Sequence, residues 1–468
     1  MLFVFPLIYI VSFVIAFKEV LKGNRDGLLI FMIWGMSIYI TAMSVSFTFG
    51  LKDFIPFFQL FKELLIISTL VLSILDLKTR PKFHIVDHVI FLFLGYMIIY
   101  AILPIGDQGI ITKLLALKGT SFFWVVYFTG RFINPKTIYV NKYFSHIIIL
   151  TIAAAIVTLI EVVTQTHIQN LSGFFEYTFY VYNLDEGGDY GFSAMFNSDS
   201  GIMRFASFFT SPLEFAGATL VALAITLSLY TRDDNKFNIN NISLLALAAT
   251  VISIFFSFSR APIASYCIMI YIYARITKKQ LIIKTTHFIF LVCLLYITWI
   301  AIQFENNHSG LLGLILNTVD FSEPSSIGHL AQWTQGVLAI IDNPFGLGLG
   351  TSGRVASSTI GNVGGENQYI ILAVQTGLIS AILYLSIIII FIRLAIKWLP
   401  KLKGKEKKIC MAVLLIKIGL FLSSLTSEIE SSTYLSYLNW FLSGLLISII
   451  TQPTIPQTPV YNDYRENN

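Results

Sequence analysis

Apolar runs separated by short polar stretches succeed one another along almost the whole chain. They cover residues 1–17, 27–47, 56–76, 87–104, 116–133, 143–163, 209–230, 241–259, 262–276, 286–303, 368–392, 409–426 and 434–451. A helix needs roughly 20 apolar residues to cross the hydrocarbon core of a bilayer, and most of the runs are near that length. None shows the strict alternation of a membrane β-strand, which leaves helices. The pattern predicts an all-α fold: a polytopic transmembrane bundle of about 13 helices, interrupted by two long polar loops. The expected division is transmembrane helices over 1–163, 209–303 and 368–451, loops over 164–208 and 304–367, and a short tail over 452–468. Met1–Phe17 has no basic stretch before it and no small-residue cleavage site after it, so a permanent helix is expected there.

Composition removes the soluble alternatives. Of 468 residues, 56% are hydrophobic and 12% charged, whereas a soluble domain is about a quarter charged. Mean hydropathy is +0.75, so the solvent for most side chains must be lipid. The net charge of +5 follows from where the cations lie, and a nucleic-acid partner is not expected. Lys18, Lys22 and Arg25, Lys78, Arg80 and Lys82, Arg131, Lys136 and Lys142, Arg232 and Lys236 fall in loops that would share one side. Arg275, Lys278, Lys279 and Lys284 join them, as does the cluster from Arg393 to Lys408. Retention of cations in cytoplasmic loops puts that side inside. The N-terminus and both long loops are then outside and the tail inside. Cys267, Cys293 and Cys410 show neither paired nor metal-ligand spacing, and the seven histidines do not cluster, so neither a metal nor a cofactor is expected.

Ionisable groups at or near membrane depth are costly, which makes each a candidate for function. Arg204, just before the seventh run, and Arg260, closing the eighth, both lie on the outer side, where topology asks for no cation. A guanidinium fork matches phosphate oxygens and cannot escape burial by deprotonating. Each arginine could instead reach the interface, or pair with an acid such as Glu214. The second loop ends in an amphipathic stretch, 329–341, then Asn343-Pro344 and a run of Gly346, Gly348, Gly350 and Gly353, a backbone able to turn sharply and approach a ligand. It lacks the dinucleotide-binding spacing. Glu366 and Asn367 follow Gly364-Gly365 at the expected start of the eleventh helix. There the carboxylate either serves the helix dipole or acts as a general base. Glu63 beside Lys62 suits an internal pair. Glu161 and Glu214 flank the first loop, and Glu428 and Glu430 occupy a short outer one. Among the histidines, His329 in the unusual stretch is a second candidate for base or phosphate contact.

In these pieces the chain resembles the O-antigen polymerase and O-antigen ligase family of bacterial membrane glycosyltransferases. The matching residues are Arg204 in R-F-A-S-F-F-T-S-P, Ser259-Arg260 in S-F-S-R-A-P, and the run W-x(9)-N-P-F-G-L-G-L-G. G-E-N-Q-Y and a helix with Gly377 follow that run, and together the pieces span about 200–380. The resemblance implies a GT-C-like fold in the bacterial inner membrane, with the site facing the periplasm or cell exterior. The implied substrate is a glycan on undecaprenyl pyrophosphate, used without a metal or other cofactor. Arg204 and Arg260 would contact the donor pyrophosphate, and Arg354 is a candidate third cation. The family's catalytic position, a histidine in the ligases, falls on Glu366. That departure favours a polymerase over a ligase. His329 stands where relatives often carry an arginine. Asn367 and Tyr369 are expected to support the acceptor or the loop. Expected partners are membrane lipids, a chain-length regulator and a flippase. A transporter of lipid-linked sugars is the competing class, but no pattern is repeated between the two halves.

Overall fold

The computed structural model describes residues 2–78, 80–182, 196, 203–302, 324–357 and 363–451. Most of the Asp- and Gly-rich part of the first loop, His308 in the second, and the tail lie outside the described residues. Within them the chain is helical, with no β-strand and an isolated bridge between Thr231 and Phe237.

The first block comprises α1 (Val4–Leu21), α2 (Leu28–Trp34), α3 (Tyr39–Thr48), α4 (Ile55–Leu75), α5 (Ile85–Ile102), α6 (Ile110–Ser121), α7 (Phe123–Phe132) and α8 (Val140–Thr164). Two short helices follow, α9 (Ile168–Ser172) and α10 (Phe174–Tyr182). The middle block holds α11 (Pro212–Tyr230), α12 (Asn241–Phe256), α13 (Arg260–Thr277) and α14 (Gln280–Ile302). Then come α15 (Pro324–Asp342), α16 (Arg354–Ser357), α17 (Gln368–Thr376), α18 (Leu378–Trp398), α19 (Gly404–Ser423) and α20 (Thr433–Thr451).

Among the described residues, eight helices are long and apolar enough to cross a membrane, or nine if the pair α6–α7, bent by 43°, counts as one span. The protein is therefore an all-α, polytopic membrane protein. The further expected spans fall on helices that are shorter or more polar: α12 has 16 residues, and α19 starts with a Lys-rich turn. The total of about 13 stays an expectation. Three expected single helices are divided. A 3₁₀ turn at Met36–Ile38 separates α2 from α3, which together still form one span over Arg25–Thr48; α6 bends into α7 at Phe122, and Gly377 separates α17 from α18.

The polar ends sort as the charge pattern predicted. Arg25 pairs with Asp76 at 2.8 Å. Lys405 Nζ donates to the Lys136 carbonyl, Lys407 Nζ to the Asp233 carbonyl and Asn235, and Lys408 Nζ to Asn141. The basic loops thus converge at one end of the bundle. At the opposite end, Ser207 meets Glu161 and Ser432 meets Glu214. Arg131, read from sequence as a loop charge, is buried in α7. It lies 3.5 Å from buried Asp87, which also accepts a hydrogen bond from Tyr127.

The core runs through α11 and α20, whose spans are 78% and 89% buried, while α1 and α4 face lipid along most of their length. Small residues let α20 lie directly on α7. A Cβ on Gly130 would stand 2.2 Å from the Phe441 carbonyl, and one on Gly444 would stand 2.1 Å from that of Tyr127. Lipid tails are as apolar as leucine, so such close backbone packing is what holds membrane helices together.

Candidate functional site

Two segments at the end opposite the basic loops carry the unusual arginines. The first, 203–211, leads into α11 and is tied down from several sides. The Glu161 carboxylate at the end of α8 accepts from the backbone N–H of Ser207 and of Ile168, both at 2.9 Å. Gln169 Nε2 donates to the Ser207 and Phe209 carbonyls, and Thr41 donates to that of Phe208. The second segment is the turn from α12 to α13. The N–H of Phe205 bonds to the Phe256 carbonyl, and Arg204 Nη2 donates to Ser259 Oγ at 3.0 Å. Arg260 opens α13 directly after that serine. Arg204 and Arg260, both half-buried, are thus brought to one place. Glu214 is engaged elsewhere, accepting from the Thr210 N–H and from Ser432.

Ser207 and Phe258 have φ of 54° and 44°. A non-glycine residue in the left-handed region is uncommon, and one as bulky as Phe258 is an outlier; both residues stand within three positions of an arginine. Strain of this kind persists only where surrounding contacts impose it.

The glycine run meets the protein's own backbone. Gly377, at φ 78°, interrupts the chain between α17 and α18, and a Cβ there would stand 2.7 Å from the Pro344 carbonyl. A helix that stops among buried residues must still satisfy its last carbonyls. Here the N–H groups of Leu347, Gly348 and Gly377 take the carbonyls of Val374, Gln375 and Ala373, and the Tyr96 hydroxyl takes that of Thr376 at 2.7 Å. Gln375 clamps the same loop, accepting from the Gly350 N–H and donating to the Ser352 carbonyl.

At the other end of α17, Asn367 is the cap. Its buried side chain accepts from the N–H groups of Tyr369 and Ile370. Glu366 precedes it in a turn, exposed and without a hydrogen bond among the described residues. The expected helix from 368 therefore starts with a cap by Asn367, and Glu366 is released from that duty. His329 lies half-buried on α15, one turn before Gln332, against which a Cβ on Gly365 would collide. Tyr369 is half-buried, and its hydroxyl donates to the Phe421 carbonyl at 3.3 Å.

The short connection 424–432 joins these parts. Its Ser424 carbonyl accepts from the Gln368 N–H, and Glu428 Oε2 accepts from the N–H of exposed Arg354 at 2.8 Å. Burial raises the Glu428 carboxyl above the usual carboxylate range. The Arg354 N–H and charge oppose that rise, and nearby Glu430 and Glu366 reinforce it. Arg354, Glu428 and Glu366 therefore share one electrostatic neighbourhood, and the Glu214–Ser432 bond links it to the segment carrying Arg204. Among the described residues, no three His, Cys, Asp or Glu side chains are grouped to hold a metal. Glu63 pairs with Lys62 as expected and also with Lys118 at 2.5 Å.

Sequence reasoning passed over the anchoring roles of Glu161, Gln169 and Gln375, and it passed over Lys417 altogether. The signal for Lys417 was present: a lysine in the middle of an apolar helix.

A polytopic helical membrane protein with two arginines and an exposed carboxylate at one end of its bundle is the class these residues define. Residues 245–385, from α12 into α18, match a family model described as O-antigen ligase. Over 252 residues the chain is 23% identical to an O-antigen polymerase of Salmonella muenchen. That alignment covers 53% of this chain and 59% of the relative, so the chain spans about three fifths of the curated relative's length. The two findings support assignment to the O-antigen polymerase and ligase family.

Proposed function

We propose that the protein polymerises oligosaccharide repeat units carried on undecaprenyl pyrophosphate, at the outer face of the bacterial inner membrane. The observation that carries the reading is the pairing of Arg204 with the Ser259-Arg260 turn, at the end of the bundle away from the basic loops. Departure of a pyrophosphate leaves negative charge on its oxygens. Fixed guanidinium groups in a low-dielectric site stabilise that charge most as it develops. Exposed Glu366 takes the proton from the acceptor sugar hydroxyl, a contribution of about 10²–10⁴-fold for general base catalysis. The hydroxyl attacks the anomeric carbon opposite the departing pyrophosphate, inverting its configuration. Arg354 is proposed as a third cation toward the donor, His329 as an alternative proton acceptor, and Asn367 and Tyr369 as supports for the acceptor side. A flippase would deliver the donor and a chain-length regulator would act on the product.

Ligation of the finished glycan to a lipid acceptor is the second reading, favoured by the description of the family matching residues 245–385. The test places purified protein in liposomes with a lipid-linked repeat unit from the same host and resolves the products on a gel. Wild type should give a ladder. Arg204→Ala, Arg260→Ala and Glu366→Gln should remove it while remaining folded, and Arg260→Lys should fall well short because it keeps the charge but loses the fork. A single-step product on an added lipid acceptor would support ligation. Intact units moved across the bilayer without a ladder would leave a transporter.

A further inference from the structure

Lys417 lies in α19, 2% exposed, and among the described residues its Nζ has no hydrogen-bond partner. It rests 3.6 Å from the centre of the Trp440 ring, with the Phe391 ring 4.9 Å away on another side. The same indole donates its N–H to Glu430 Oε1 at 2.8 Å. Glu430, 7% exposed, also accepts from Tyr384 and Ser436. One tryptophan therefore stands between a buried cation on its face and a buried anion at its edge, and Lys417 and Glu430 are in electrostatic range of each other. The negative face of an indole attracts a cation, and its positive edge suits a carboxylate. Both groups are buried, so removing either would leave the other as an uncompensated buried charge.

The outward consequence runs through the backbone. The N–H of Glu430 donates to Gln368 Oε1, and Gln368 is the first residue of α17, next to Asn367 and Glu366. Two residues before Glu430, Glu428 holds the N–H of Arg354.

We infer that Lys417, Trp440 and Glu430 form a buried charge-balanced strut that positions the start of α17, and with it Glu366, for the proposed transfer. They are positioning residues and touch no substrate. The inference rests on the reading of Glu366 as the base, but the strut itself can be measured without substrate.

Hydrogen exchange on the protein in lipid nanodiscs reads the amides of 367–372 against those of α5 and α11. Trp440→Phe keeps the ring face and deletes the N–H donor, and Glu430→Gln and Lys417→Met each remove one charge. Trp440→Phe should speed exchange at the start of α17 by about tenfold, the scale of losing one hydrogen bond to a charged group. Glu430→Gln and Lys417→Met, which leave the opposite charge buried and uncompensated, should speed it at least as much, and all three should leave α5 and α11 unchanged. Removing both charges together should return exchange toward wild type, because no uncompensated charge is left buried. In the ladder assay, Trp440→Phe should lower kcat while KM for the donor stays at its wild-type value. Unchanged exchange at 367–372 in Trp440→Phe overturns the strut. So does equal acceleration throughout the bundle, which would mark a general packing role. If the singly charged variants do not fold, Trp440→Phe and the double replacement decide the matter. Local exchange changes in a protein that gives no ladder would keep the strut and sink the polymerase reading. A ladder with wild-type kcat in Trp440→Phe would do the reverse.

Discussion

Left-handed backbone at Ser207 and Phe258 costs about 1–3 kcal/mol at each residue, and the hydrogen bonds of Glu161, Gln169 and Arg204 hold those segments in place. His167 stands beside them, 3% exposed, with Phe196 and Phe205 against its ring. Burial lowers its pKa to about 4. Between pH 6.5 and about 4 the unfolded chain then binds a proton that the folded one refuses, so stability falls as pH drops through that window. Thermal unfolding in detergent should show a lower midpoint at pH 5 than at pH 7.5, and His167→Phe should flatten the difference. Arg204 and Arg260 stood out in the sequence because each breaks a charge asymmetry that most of the chain's cations obey. Glu161 did not, because its partners Ile168 and Ser207 are fixed by tertiary contacts that local pattern does not encode. Glu366 stands exposed in the turn before the helix, and Asn367, not Glu366, is the cap.

Breaks within apolar runs shape the elements. Periodicity joined 368–392 into one helix because Gly377 is compatible with a helix in sequence. The stop comes from the loop 344–348 packing against it, which no local pattern records. Gly377→Ala would force a side chain into the left-handed region with its Cβ 2.7 Å from the Pro344 carbonyl, a loss of about 1–3 kcal/mol. Gly95 in α5 has open space around its Cβ position, so Gly95→Ala should be neutral or stabilising by about 0.5–1 kcal/mol. Chemical denaturation of the two variants side by side checks the contrast. The amphipathic stretch 329–341 was read well and falls inside α15. Where the sequence placed long loops it missed α9 and α10, which are too short to show a clear period.

The two ends of the molecule differ in charge, and that was the most legible property of all. In a cysteine-free background, a membrane-impermeant thiol reagent should label Asp53→Cys on intact cells, and Lys403→Cys only after permeabilisation. Labelling in the opposite order would invert the expected orientation. Between the ends, the bundle closes where α7 meets α20 through Gly130 and Gly444. These helices lie some 300 residues apart in the chain, which fixes an order of events during synthesis. The first helix of the pair is made long before its partner exists, and its face at Gly130 must wait uncovered by α20 while the intervening helices are made. Assembly of the end that carries Glu366 thus waits for α20. Glu430 precedes α20, and Trp440 sits within it, so the strut inferred behind Glu366 is made only when α20 docks.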